Sequence, residues 1–187
     1  MTYSEANMKR FIISDMHFGH KNIIKYENRP FASIGEMDDL IVQKWNNSVK
    51  NGDIVFVLGD VSFYNQEKTK EIISSLNGRK FLIMGNHDYK WKETAWRKIG
   101  FECVYRYPII IDQFFILSHE PVYLNDNMPY RNIHGHIHSK RMDNKFYFNA
   151  SVECINYYPV NIVAIKNYFH DIMIPVFRKN SFEEIGD

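Results

Sequence analysis

Five of the eight histidines stand in short polar blocks: Asp15-Met-His17, His87 within Gly85-Asn86-His87-Asp88, Ser118-His119, and the pair His136 and His138 in Gly135-His-Ile-His. The Gly59-Asp60 step adds a carboxylate, and Asn86 adds a carboxamide. Imidazole nitrogen with carboxylate and amide oxygen, and no thiolate, is a donor set for Mn, Fe, Co, Ni or Zn ions. Side chains two apart on an extended segment share a face, so Asp15 with His17, and His136 with His138, are expected to reach one point from alternating strand geometry. A glycine before Asp60 permits a sharp turn and close backbone approach. Each block is weak alone: Gly-Asp is common, His87 fits a buried core histidine, and Gly-His-Ile-His fits a turn. Together and in this order they point to a cluster built for cations.

The elements that must carry these blocks are legible in the hydrophobic pattern. Residues 10–14, 53–58 and 80–84 are β-rich apolar runs that end in Asp15, Gly59-Asp60 and Gly85-Asn86-His87. Runs without alternation suit strands covered on both faces, and open α/β sheets place their sites at such strand ends. Helices are expected over 35–49, with Ser33 and Glu36 as a capping box, over 67–76, ending at Asn77-Gly78, and over 89–99. The second half is read as short strands at 102–106, 108–111, 114–118, 131–133, 145–149 and 152–156, then a helix over 161–168. No Gly/Ser/Pro linker divides the halves, so 1–187 is expected to be one domain, with loose termini at 1–8 and 176–187.

Composition narrows the class. The chain has 187 residues, 45% hydrophobic and 16% aromatic, which is ample for a core and excludes a disordered charged tail. A net charge of +1 argues against long duplex nucleic acid as a ligand, and against it alone. Two cysteines, Cys103 and Cys154, exclude a disulfide scaffold or four-thiolate zinc knot and suit a reducing cytoplasm. No apolar run is long enough for a membrane span, and the first residues lack the apolar core of a secretory signal. Cytoplasmic localisation is the expectation. The abundance of Phe and Tyr favours a homodimer modestly.

The five blocks, spanning most of the chain in a fixed order, resemble the calcineurin-like metallophosphoesterase superfamily. Within it, the stretch His17-Phe-Gly-His20-Lys-Asn-Ile-Ile with Arg29-Pro-Phe is similar to a small group of bacterial and phage phosphoesterases. That group usually has Thr where this chain has Met16. The resemblance implies a two-sheet α/β sandwich flanked by helices and a centre of two transition-metal ions. It places Asp15, His17 and His138 on the first ion, Asn86, His119 and His136 on the second, and Asp60 between them. It puts His87 beside the ions, paired with Asp88, as a proton donor.

The implied chemistry is hydrolysis of a small phosphorylated substrate, such as a nucleotide, by a metal-activated hydroxide. Phosphodiesters stand slightly ahead of monoesters. A short single-strand nuclease is a further enzyme reading, and a non-catalytic scaffold on the same fold is the reading from another class. No serine or cysteine nucleophile is required. His20 is expected to touch the ligand, to support the ligands from behind, or to hold an ordinary solvent or capping position. Arg29 is expected either to grip phosphate bidentately or to pack a corner beside Pro30 and Phe31. His134, between motif residues, is read as structural.

Overall fold

The computed structural model describes residues 8–142 and 144–170. The expected loose ends at 1–7 and 176–187 lie outside the described residues. The chain runs β1 (Arg10–Ile13), α1 (Lys21–Tyr26), α2 (Ile34–Ser48), β2 (Ile54–Val57), α3 (Gln66–Ser75), β3 (Arg79–Ile83), a 3-10 turn at Asp88–Lys90, α4 (Glu93–Ile99), β4 (Cys103–Tyr105), β5 (Ile109–Ile111), β6 (Phe115–Leu117), β7 (Arg131–His134), β8 (Tyr147–Asn149) and β9 (Val160–Asn161). A helical segment follows over 162–170.

Two sheets result. The first has order β4-β3-β2-β1-β9, parallel except for antiparallel β9. The second has order β5-β6-β7-β8, with β5 antiparallel to β6 and the rest parallel. Period-two alternation sorts the first sheet's residues into two cores. Phe11, Ile13, Val55 and Val57 join Met37, Ile41, Trp45, Ile73 and Trp96 from the helices. Ile12, Phe56 and Ile83 face Phe115, Leu117 and Ile133 of the second sheet, with Ile162 and Ile165 sealing the edge. This is the α/β sandwich flanked by helices, and apolar continuity in β1 and β2 reflects burial on both faces. Among the described residues, no helix is long and apolar enough to cross a membrane.

The helix ends are specified locally. The Ser33 hydroxyl accepts from the Glu36 amide at 3.2 Å, while Glu36 Oε2 accepts from the Ala32 amide at 2.8 Å, a capping box shifted by one residue. Trp45, fully buried, donates its indole N–H to the Asn77 carbonyl and pins the α3 exit to α2.

Two expectations need correction. The helix expected over 89–99 splits, because Asp88 is drawn inward and a 3-10 turn intervenes before α4 starts at Glu93. Residues 152–156 form turns rather than a strand, with Asn156 and Tyr157 at φ of 51° and 62°. The Glu153 side chain is held inward by Arg29, which removes this stretch from a ladder. A short helix, α1, follows His20 where the sequence pattern placed no element, with Asn22 exposed in its first turn.

Candidate metal centre

The blocks converge where β1, β2, β3, β6 and β7 end. Main-chain bonds lock the loops together: the Asp15 amide donates to the Gly59 carbonyl at 3.1 Å, the His17 amide to the Asp60 carbonyl at 3.0 Å, and the Gly135 amide to the His119 carbonyl at 2.9 Å. Gly135 is required by space, since a Cβ there would lie 1.9 Å from Ser14 Oγ and 2.2 Å from Asp15 Oδ2. Through that gap the His136 amide donates to Asp15 Oδ2 at 2.9 Å, and the Ser151 hydroxyl donates to the same oxygen at 2.9 Å.

The expected extended geometry of the Asp-x-His and His-x-His pairs is not what brings them together. Asp15, His17, Asp60, His136 and His138 have φ of 58°, 53°, 53°, 69° and 50°. Each sits in the left-handed region that non-glycine residues rarely occupy and that clusters at functional sites. The backbone coils tightly past the strand end and throws alternate side chains inward.

Among the described residues, three donor groups have atoms within 4.8 Å of one another, and two of them lie here: Asp15, His17 and His138, and Asp15, Asp60 and His119. Asp60 Oδ2 lies between two histidines, 3.4 Å from His17 Nε2 and 3.6 Å from His119 Nε2. His138 Nε2 is 4.0 Å from Asp15 Oδ1. Asn86 Oδ1 is 3.0 Å from His119 Nε2 and 3.1 Å from His136 Nδ1. All seven residues expected to hold metal therefore meet in one place.

The donor set fits cations on an independent ground. Asp15 Oδ1 and His17 Nε2 are buried and have no hydrogen-bond partner among the described residues. Leaving such groups bare costs about 1–3 kcal/mol each, and a cation between them removes that cost. The other nitrogen of each inner histidine is already engaged. His17 Nδ1 meets His20 Nδ1 at 3.3 Å, His119 Nδ1 donates to the Leu58 carbonyl at 2.7 Å, and His138 Nδ1 meets Glu153 Oε1 at 3.1 Å. Outer-nitrogen partners of this kind leave Nε2 as the free lone pair.

Electrostatics favour ionised carboxylates. Burial opposes charge on Asp15, but the imidazoles of His17, His119 and His138 outweigh it and hold the carboxyl well below the usual range. Asp60 is lowered against burial by His17 and His119. His17 is raised against burial by Asp15 and Asp60.

Asp88 departs from its expected role. It is fully buried, and its carboxylate accepts from the amides of Asp60 at 2.8 Å, Val61 at 3.0 Å and Gly85 at 2.9 Å. Burial and the charge of Asp60 push it up to about 6, against those three donors. Its two oxygens are spent holding the Asp60 and Gly85 loops together, so it does not orient His87. The His87 imidazole is 46% exposed with Nε2 4.0 Å from Asp60 Oδ2, and burial is the main cause that lowers it.

Arg29 packs a corner and does not face a ligand. It is 4% exposed, and its guanidinium donates to the carbonyls of Asp15 at 2.8 Å and Met16 at 3.1 Å and to Glu153 Oε1. His20 supports His17 from behind and stacks on Phe63 with centroids 3.9 Å apart. Burial and the neighbouring imidazoles and guanidinium lower it to about 4, which keeps it neutral. His134 is buried with Nδ1 2.8 Å from the Gly135 carbonyl, as a structural residue should be.

Glu153, Ser151 and Phe63 belong to the site and carry no motif. Only Glu153 leaves a trace in the sequence, as a lone carboxylate inside the apolar run Ala150-Ser-Val-Glu-Cys-Ile155. Glu27, His138 and Glu153 also bring donor atoms within 4.8 Å, but the Arg29 guanidinium against Glu153 disfavours a cation there. Beside Asn86 and His119 opens a groove of about 240 Å³, bordered by Tyr89, Arg106, Pro121 and Val122.

Comparison with other proteins agrees with this geometry. An uncharacterized protein of Methanocaldococcus jannaschii is 39% identical over 171 residues, covering 84% of this chain and 89% of its own length. The gene 66 protein of Mycobacterium phage L5 is 37% identical over 81 residues, 40% of this chain and 37% of its own. A crystal structure of a protein of unknown function from Aquifex aeolicus superposes with a TM-score of 0.70 at 28% identity, covering 86% of this chain and 99% of that one. Residues 8–174 match the calcineurin-like phosphoesterase family. With strand-end loops that gather its histidines and carboxylates around shared oxygens, the chain belongs to the calcineurin-like phosphoesterases.

Proposed function

We propose that this protein is a dinuclear phosphoesterase that hydrolyses a small phosphodiester or nucleotide. The observation that carries the reading is the position of Asp60 Oδ2, 3.4 Å from one inner histidine and 3.6 Å from another, between two donor sets. Asp15, His17 and His138 would hold one ion, Asn86, His119 and His136 the other, with Asp60 shared. Mn, Fe, Co, Ni and Zn all suit these donors. Two such ions supply Lewis-acid polarisation of a phosphoryl group and a water acidic enough to attack at neutral pH.

The chain's own groups do the rest. Asp60 is fixed twice, by its amide to Asp88 and by Oδ1, which accepts from the His87 amide at 3.0 Å. His87, exposed at the mouth, offers an N–H that donates to a phosphoryl or leaving-group oxygen. The neighbouring groove of about 240 Å³ suits a small leaving group rather than a polymer. Retention of His87 supports leaving-group chemistry, because a departing alkoxide needs a proton.

The test strips the protein with chelator and reconstitutes it separately with Mn²⁺, Fe²⁺, Ni²⁺ and Zn²⁺. Turnover of a panel of phosphodiesters, nucleotides and monoesters is then measured beside metal content. Two ions per chain and diester turnover are expected. Activity that survives chelation, or occupancy of one ion at full turnover, would overturn the reading.

A further inference from the structure

We propose that Glu153 is a positioning residue for His138, with Arg29 as the buried cation that holds it in place. The inference rests on the metal-centre reading above. Arg29 and Glu153 lie 124 positions apart in the chain, and their side chains are 0% and 7% exposed. Glu153 Oε1 accepts from Arg29 Nε at 2.9 Å and Nη2 at 2.6 Å, and it lies 3.1 Å from His138 Nδ1.

A carboxylate only accepts, so the proton of His138 resides on Nδ1 and the lone pair on Nε2. Nε2 is the atom 4.0 Å from Asp15 Oδ1. The same guanidinium donates to the carbonyls of Asp15 and Met16. One arginine therefore ties together the backbone that carries Asp15 and the side chain that aims His138, two members of the same donor set. Neither Arg29 nor Glu153 supplies a donor atom to that set.

Two measurements test this. Calorimetric titration of chelator-stripped protein with Mn²⁺ compares wild type, Glu153→Gln and Glu153→Leu. Long-range ¹H–¹⁵N spectra of metal-free wild type report which nitrogen of His138 carries the proton. In Glu153→Leu one class of Mn²⁺ site is expected to weaken about 10–100-fold while the other holds. Glu153→Gln, whose carbonyl still accepts, is expected to lose less. His138 is expected as the Nδ1–H form in wild type.

A folded Glu153→Leu protein with both affinities unchanged would overturn the proposal, as would loss of a third Mn²⁺, which would make Glu153 a ligand. If the leucine variant does not fold, the wild-type spectrum decides, and a proton on Nε2 overturns it. If wild type binds no Mn²⁺, the metal-centre reading fails by itself. The His138 tautomer then still judges the Glu153 contact.

Discussion

The two halves of the centre are built differently. Asp15 and His17 are buried, and with His138 they are braced from behind by side chains: Ser151 on Asp15, His20 on His17, Glu153 on His138, with Arg29 beneath. Asn86 is exposed and His136 half-exposed, and their contacts are mainly to each other and to His119, whose outer nitrogen rests on a backbone carbonyl. A buried, charge-braced half is preorganised and costly to disturb. An open half with few supports is freer to adapt. The first half should therefore register damage as lost folding stability, the second as lost binding or turnover.

The largest effect should come where the halves meet. Asp60→Asn is expected to weaken both ions and lower kcat/KM by on the order of 10³-fold or more, read by elemental analysis and turnover. Full occupancy with normal turnover would remove Asp60 from its shared position. Next, Arg29→Met should cost about 3–5 kcal/mol, because it strands a buried carboxylate. Asn86→Ala in the open half should cost under ~1 kcal/mol while emptying one site. Urea unfolding of the metal-free proteins compares them, and equal losses would erase the contrast.

His87→Ala should keep both ions and slow turnover by about 10²-fold for an alkyl or ribosyl ester, with much less loss for a nitrophenyl ester. A loss uniform across leaving groups would assign the imidazole to holding phosphoryl oxygens instead. The smallest effect concerns the loop under His20. Asp38 accepts from the Tyr64 hydroxyl at 2.9 Å and the Gly19 amide at 3.3 Å, and burial, against those donors, pushes it up to about 6. Its unfolded form ionises first as pH rises, so the folded state loses stability between about pH 4 and 6 and stays lower above. The difference in stability between wild type and Asp38→Asn should change by about 1–2 kcal/mol across that window. A flat difference would show that Asp38 ionises normally.

Much of this was legible in the sequence because strand ends are. Apolar runs terminating in Asp15, Asp60 and Asn86 place those residues at one end of a sheet without further information, and the burial of Phe11, Ile12 and Ile13 on both faces of their strand follows from the same pattern. Glu153 showed in the sequence only as a lone carboxylate, and its role was not legible, since that depends on Arg29, a residue 124 positions away that pattern and propensity cannot pair with it. Arg29 itself had two readings, and only its burial separates them. Asp88 misled for a related reason: adjacency to His87 suggested a side-chain pair, whereas three backbone amides from two loops compete for the carboxylate and win.

The left-handed backbone at Asp15, His17, Asp60, His136 and His138 sets a conflict between working and folding well. Each of these residues forgoes about 1 kcal/mol that glycine would not. An ordinary gain-of-stability screen run in chelator should therefore drift toward glycine in the open half, His136 first. His136→Gly should unfold at equal or higher urea than wild type without metal, and bind the second ion poorly. Selection for robustness alone would thus dismantle this centre.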